Sequence, residues 1–194
     1  MKNLLLSIVL VVCLAAGANA QQGMLALFSD TESHECHLNL GMGQIGNLYL
    51  MYVRGDGPRL GNAYEFKLLK SSSGSAILSP TWPSSIIITI GAVETGISLC
   101  AAECFPDGDY VSLGTIPVMN VSDPDTFTVA IVPDPEQVPQ HAIVILECRA
   151  ELPIYVVLPG GAFVFNGGCY SPLEPYGPLG VEETTWGAIK ELYQ

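Results

Sequence analysis

Apolar positions between residues 24 and 165 recur in two patterns, and neither is helical. In Ala63-Tyr64-Glu65-Phe66-Lys67-Leu68, the residues Tyr64, Phe66 and Leu68 alternate with Glu65 and Lys67. Residues 126–132 alternate in the same way, with Phe127, Val129 and Ile131 on one parity. Successive side chains of a strand point to opposite faces, so a period of two predicts strands with one wet side. Residues 48–53, 86–90, 142–146 and 154–158 are apolar on both parities, which predicts central strands of a two-layer core. Residues 24–28, 97–100, 111–119 and 162–165 complete the set. Proline cannot donate to a ladder, so Pro117 should mark a bend or an edge within its segment.

Turn formers separate these runs. They are Gly55-Asp56-Gly57-Pro58, the serine-rich stretch 71–75, Pro106-Asp107-Gly108-Asp109, Asp123-Pro124-Asp125 and Pro133-Asp134-Pro135. About nine or ten short strands at this spacing predict an all-β chain folded as an antiparallel β-sandwich. Alternating helical segments are missing, which argues against a parallel α/β sheet.

The two ends differ from this middle. Lys2, the apolar run 4–16 and the small-x-small step Ala18-Asn19-Ala20 have the order of an export signal, with cleavage before Gln21. The run is shorter than the ~20 residues that span a bilayer. Residues 1–20 therefore read as a signal peptide and 21–170 as the sandwich. Three prolines and two glycines make residues 171–180 a linker. In 181–194, Glu182 and Glu183 suit a helix N-terminus, and Trp186, Ile189 and Leu192 fall on one stripe. This segment is expected to be a short amphipathic helix packed on the sandwich, or a tail presented to a sorting or anchoring partner.

Composition narrows the partners. Nineteen acidic against seven basic residues give a net charge of −12. Such a surface repels phosphates, and no Lys/Arg cluster offsets it, so nucleic acid is excluded. Charged residues are only 13% of the chain, against 20 glycines and 14 prolines; usual domains carry about 25% charge. That balance suits a turn-rich extracellular β protein.

Cleavage after Ala20 would leave Cys36, Cys100, Cys104, Cys148 and Cys169. In an oxidising compartment these are disulfide candidates, and an odd number leaves one thiol over. Cys100 with Cys104, and Cys148 with Cys169, are the pairs that proximity in sequence suggests. His34, Cys36 and His37 with Cys100 and Cys104 would supply zinc-type donors, but no Cys-x-x-Cys spacing is present. Asp107 and Asp109 are the candidate metal ligands, with calcium as the cation; turn chemistry alone explains the same residues. Asp123 and Asp125 repeat the pattern. No cofactor site is otherwise indicated.

No Gly-x-Ser-x-Gly elbow or phosphate-cradling glycine loop occurs, and the only histidines are His34, His37 and His141. The chain is therefore expected not to be an enzyme. Trp82 is the best candidate for ligand binding, as a platform on which a sugar would stack; Tyr49, Tyr52, Tyr155 and Tyr170 are further candidates, most of which the apolar strands around them mark as core. Asn120-Val121-Ser122 fits the N-glycosylation acceptor pattern.

Four stretches carry a resemblance: Gly61-Asn62-Ala63-Tyr64-Glu65-Phe66-Lys67; Thr95-Gly96-Ile97-Ser98-Leu99 before a cysteine-containing turn; residues 111–116 with Leu113-Gly114-Thr115; and the ending 181–193. In this order they resemble small secreted bacterial proteins of the cohesin-like and immunoglobulin-like sandwich group. Cohesins bind a dockerin on one sheet face, but no residue of that face is carried over here. The resemblance implies a non-catalytic extracellular module. Together these readings predict a secreted or periplasmic, envelope-associated sandwich acting in recognition or structure, with a protein or carbohydrate partner. The rival readings are a calcium- or carbohydrate-binding module and a secreted hydrolase.

Overall fold

The computed structural model describes residues 23–32, 34–55, 61–106, 108–122, 126–133, 143–147 and 154–167. Among them are twelve strands: β1 (Met24–Phe28), β2 (His37–Leu38), β3 (Ile45–Val53), β4 (Gly61–Lys70), β5 (Ser75–Ile77), β6 (Ile86–Ala92), β7 (Gly96–Ala101), β8 (Tyr110–Asn120), β9 (Phe127–Val132), β10 (Ile143–Glu147), β11 (Ile154–Pro159) and β12 (Phe163–Phe165). No helix occurs among the described residues. The signal segment, the linker and the expected C-terminal helix lie outside them.

One sheet runs β5-β8-β3-β1, with antiparallel ladders throughout. The other is built around β4. Residues 63–66 of β4 pair with β7, residues 61–65 with β10 and residues 67–70 with β9, all antiparallel. Strand β7 in turn carries β6, and β9 carries β12. Two parallel pairings complete the architecture: β11, antiparallel to β10, lies parallel to β1 and joins the two sheets, and β12 lies parallel to β2.

The alternation in β4 does what its period requires. Tyr64, Phe66 and Leu68 are buried, and Glu65 and Lys67 are on the other face. They join Leu25, Leu27, Leu48, Leu50, Ile97, Leu99, Ile116 and Ile131 in one core between the sheets. Each such aliphatic or aromatic side chain contributes about 1.5–3 kcal/mol when fully buried. Strand β1 is buried on both parities, and Ala26 and Phe28 form a second, smaller cluster with Met51.

Strands β2 and β5 exceed the expected nine or ten because they are two and three residues long, too short to show a period. A larger departure is β6. Its isoleucines suggested a central strand, yet it pairs with β7 alone among the described residues and is exposed along most of its length. Pro117 stays within the β3–β8 ladder opposite Asn47, and the irregularity lies instead at Leu50/Met51.

Two asparagines hold the chain between β2 and β3. The Asn166 Oδ1 accepts from the Leu40 N–H at 2.7 Å, and its Nδ2 donates to the Leu40 carbonyl at 3.0 Å. That carbonyl also accepts from Asn120 Nδ2 at 2.8 Å, and the Asn120 Oδ1 accepts from the Ser122 N–H at 3.2 Å. Asn166 sits at φ 55°, a left-handed conformation that asparagine tolerates better than most residues. Asn120, the residue of the acceptor motif, is 1% exposed. It is a structural clamp in the folded chain.

Tyr64 is 2% exposed, and its hydroxyl finds no hydrogen-bond partner. Burial, with the Tyr52 phenol as a smaller cause, pushes its pKa well above the ordinary value near 10.0. A raised pKa in the folded state means the folded chain keeps a proton that the unfolded chain releases above pH ~10, so stability falls as pH rises beyond that point.

Two expectations follow from these buried groups. Asn120→Ala should lower unfolding free energy by about 1–3 kcal/mol in urea, because it removes a buried donor and leaves the Ser122 N–H unpaired. Tyr64→Phe should cost little at pH 7, and should flatten the loss of stability measured between pH ~9 and ~11 relative to the parent.

Candidate functional site

Strands β6 and β7 form a hairpin. Gly91 at φ 85° lies against the Gly96 carbonyl, where a Cβ would collide, and the Thr95 N–H donates to the Ala92 carbonyl at 3.1 Å to close the turn. The register then sets which residues share a face. Ile88 is opposite Cys100 and Ile90 opposite Ser98; across β7, Cys100 is opposite Ala63 and Ser98 opposite Glu65; across β4, Ala63 is opposite Leu146. The intervening Ile97 and Leu99 are buried in the core. The residues Ile88, Ile90, Ser98, Cys100, Ala63, Glu65 and Leu146 therefore make up the outer face of this sheet.

That face is largely apolar, exposed at Ile88 and Ile90 and half-buried at Ala63, Glu65, Ser98, Cys100 and Leu146. Ile88 is 47% and Ile90 60% exposed, and the rows line a shallow groove of about 210 Å³. Its one carboxylate, Glu65, accepts from the Ser98 hydroxyl at 3.3 Å. Scattered exposed apolar residues are normal on a soluble domain, but a contiguous patch marks a contact surface. Nothing in the sequence distinguished this face, because a strand apolar on both parities reads alike whether it is covered or open. The available signal was the absence of any charged residue from 84 to 93.

The candidates singled out from the sequence do not gather here. Trp82 is half-buried, packs on the main core and stands against Gly114, where a Cβ would collide with its ring. Tyr52 is a core residue. Asp109 is exposed and pairs with Arg54, its Oδ1 3.2 Å from the guanidinium Nη2, and its carbonyl accepts from the Arg54 N–H. Asp107, Asp123, Asp125, His141, Tyr155's side chain and Tyr170 lie outside the described residues.

His34 is built into the fold. The Asp30 carboxylate accepts from the backbone N–H groups of Glu32, His34 and Glu35, and the His34 ring stacks on Tyr110 at 3.8 Å and meets Phe28 edge-on. Among the described residues, no three His, Cys, Asp or Glu side chains are grouped to hold a metal ion. No helix among them is long and apolar enough to cross a membrane.

The cysteines correct one expectation. Cys100 is a free thiol on the outer face and does not bridge to Cys104; Cys36 and Cys104 are each disulfide-bonded, neither of them to Cys100. Cys100 belongs to a regular ladder and points away from the core, whereas Cys104 follows the turn beyond it. The suggested pair of Cys148 and Cys169 lies outside the described residues.

No family model matches the chain, and no curated protein does. Solved structures match its fold. The cohesin module of a family 33 glycoside hydrolase from Clostridium perfringens ATCC13124 superposes with a TM-score of 0.53 at 6% identity, over 75% of this chain and 98% of that module. The third ScaB cohesin of R. flavefaciens, solved in complex with a group 1 dockerin, superposes with a TM-score of 0.51 at 9% identity, over 79% of this chain and 99% of that one. The chain thus has a cohesin-like β-sandwich fold.

The register also yields a cysteine prediction. The Phe105 N–H donates to the Gly61 carbonyl at 2.9 Å, and Gly61 is opposite Glu147, next in sequence to Cys148. The Cys36 carbonyl accepts from the Val164 N–H at 3.2 Å, shortly before Cys169 in sequence. Disulfide mapping of protein processed at Ala20 should return Cys104–Cys148 and Cys36–Cys169. Thiol titration without reductant should count one reactive group, abolished by Cys100→Ser.

Proposed function

We propose that this chain is an exported, non-catalytic protein-recognition module of cohesin type, and that the outer face of β6, β7, β4 and β10 is its docking surface. The carrying observation is the uncovered aliphatic row with Ile88 and Ile90 at its rim in a chain of net charge −12. The dockerin complex of the R. flavefaciens cohesin supports a protein as the partner. The face presents aliphatic side chains rather than the aromatic platforms a sugar would stack on, and Trp82 leans on the core. The apolar leader with its Ala18-Asn19-Ala20 step supports export to the envelope or the medium.

Burying two isoleucines in an interface is worth several kcal/mol before the costs of association. The Ile88→Asp/Ile90→Asp protein should therefore lose at least about tenfold in affinity. The measurement is calorimetry against a partner isolated from host culture on the immobilised parent and then purified. Both substitutions sit on an exposed face, so the far-UV circular dichroism and melting temperature should match the parent. Undiminished binding by the double variant would remove this face from the mechanism.

A further inference from the structure

Strand β6 is open in a second direction that face docking does not address. Its partner on one side is β7; on the other side no strand pairs with it among the described residues. Exposure extends over both parities. Ile88 and Ile90, opposite the outward Cys100 and Ser98, are uncovered, and so is Thr89, which is opposite the buried Leu99. The strand therefore overhangs the core, and its inner side lacks cover from the other sheet. Ile87 is 63% exposed as well.

Natural sheets usually blunt such an edge with lysine, proline, an inward charge or a bulge. Here residues 84–93 contain no charge and no proline. One bulge is present, between Ile86 and Ile88, and beyond it the ladder to Ala92 is regular. The regular part of the open edge thus runs over residues 88–92, with the exposed Ile87 on the bulge at its end.

We infer that β6 pairs with β6 of a second copy of this chain, antiparallel across a two-fold axis. Three features select a second copy. An isologous contact sets the strand against its own sequence, residue i on j and j on i, so a strand without charge brings no like charges together there. Ile-x-Ile is self-complementary, because cross-strand aliphatic pairs are the favourable unit of a sheet. Lastly, a paired strand sets its own side chains beside those of the edge strand on both faces, so Thr89 gains contacts together with Ile88 and Ile90. A partner laid on the outer face would cover only the latter two. Elsewhere a net charge of −12 opposes the approach of two copies, and β6 is where that repulsion is locally absent. The result would be a continuous sheet carrying two docking faces on the same side.

A pairing this small falls in the weak class of interfaces, so it should be sought by sedimentation velocity and light scattering at concentrations up to about 1 mM. The parent should shift reversibly from monomer to dimer mass, and the amides of β6 should gain protection from hydrogen exchange as concentration rises. Ile87→Lys/Thr89→Lys places the natural edge-blocking charge on the strand. It should stay monomeric at every concentration, with parental circular dichroism and melting. Ile87→Val/Thr89→Val keeps the strand neutral and should still dimerise. A parent that remains monomeric throughout, or a lysine variant that dimerises as well as the parent, overturns the inference. Either result leaves the docking face standing if the lysine variant still binds the captured partner; loss of that binding in Ile88→Asp/Ile90→Asp alone tests the face separately.

Discussion

Everything in this sandwich hangs on the parity of β4. Among the described strands it is the one laddered to three others, β7, β10 and β9. Tyr64 is opposite both Leu99 and Ile145, Phe66 opposite Ile97, and Leu68 opposite Ile131, and all of these are buried. A slip of one residue would bring Glu65 and Lys67 into the core and expel three of its largest side chains, at a cost of many kcal/mol. The same register dictates the opposite face. Ala63 and Glu65 point outward because Tyr64 points inward, so the outer row of Ile88, Cys100, Ala63 and Leu146 is set by the constraint that packs the core.

The period-two signal made most of this visible from the residues alone. The ten segments expected as strands are all strands, and the buried parities of β4 and β9 are as their alternation implies. What escaped did so for definite reasons. Strands β2 and β5 are shorter than a pattern, and β5 begins in a serine-rich stretch that reads as a turn. In β6 the failure is one of principle. Burial on both faces and exposure on both faces leave the same apolar run, and only the identity of the neighbouring strands separates them. The exposed isoleucines of the proposed docking face were therefore hidden inside a segment that looked like core.

Short polar motifs carried less than their donor atoms promised. His34 and Cys36 offered donor atoms in a dense cluster, but the fold uses one as an aromatic prop beneath Tyr110 and oxidises the other. Donor atoms in sequence say little until the ladder places them, and here Cys100, which seemed interchangeable with its neighbours, is the thiol left on the outer surface. The proposed function rests on the exposed isoleucines rather than on the ionisable clusters, because uncovered aliphatic surface is costly wherever nothing eventually covers it.

The Leu40 clamp has a bearing on how the protein can be made. Asn120 donates from the same Nδ2 atom to which an oligosaccharide would be attached, and a eukaryotic secretory host modifies Asn-Val-Ser while the chain is still threading into the lumen, before folding can hide it. A sugar placed there would occupy the donor and would have no room at a position 1% exposed. Yeast or mammalian expression would thus trade export for misfolding, whereas a bacterial periplasm without that transferase leaves the asparagine free to close on Leu40.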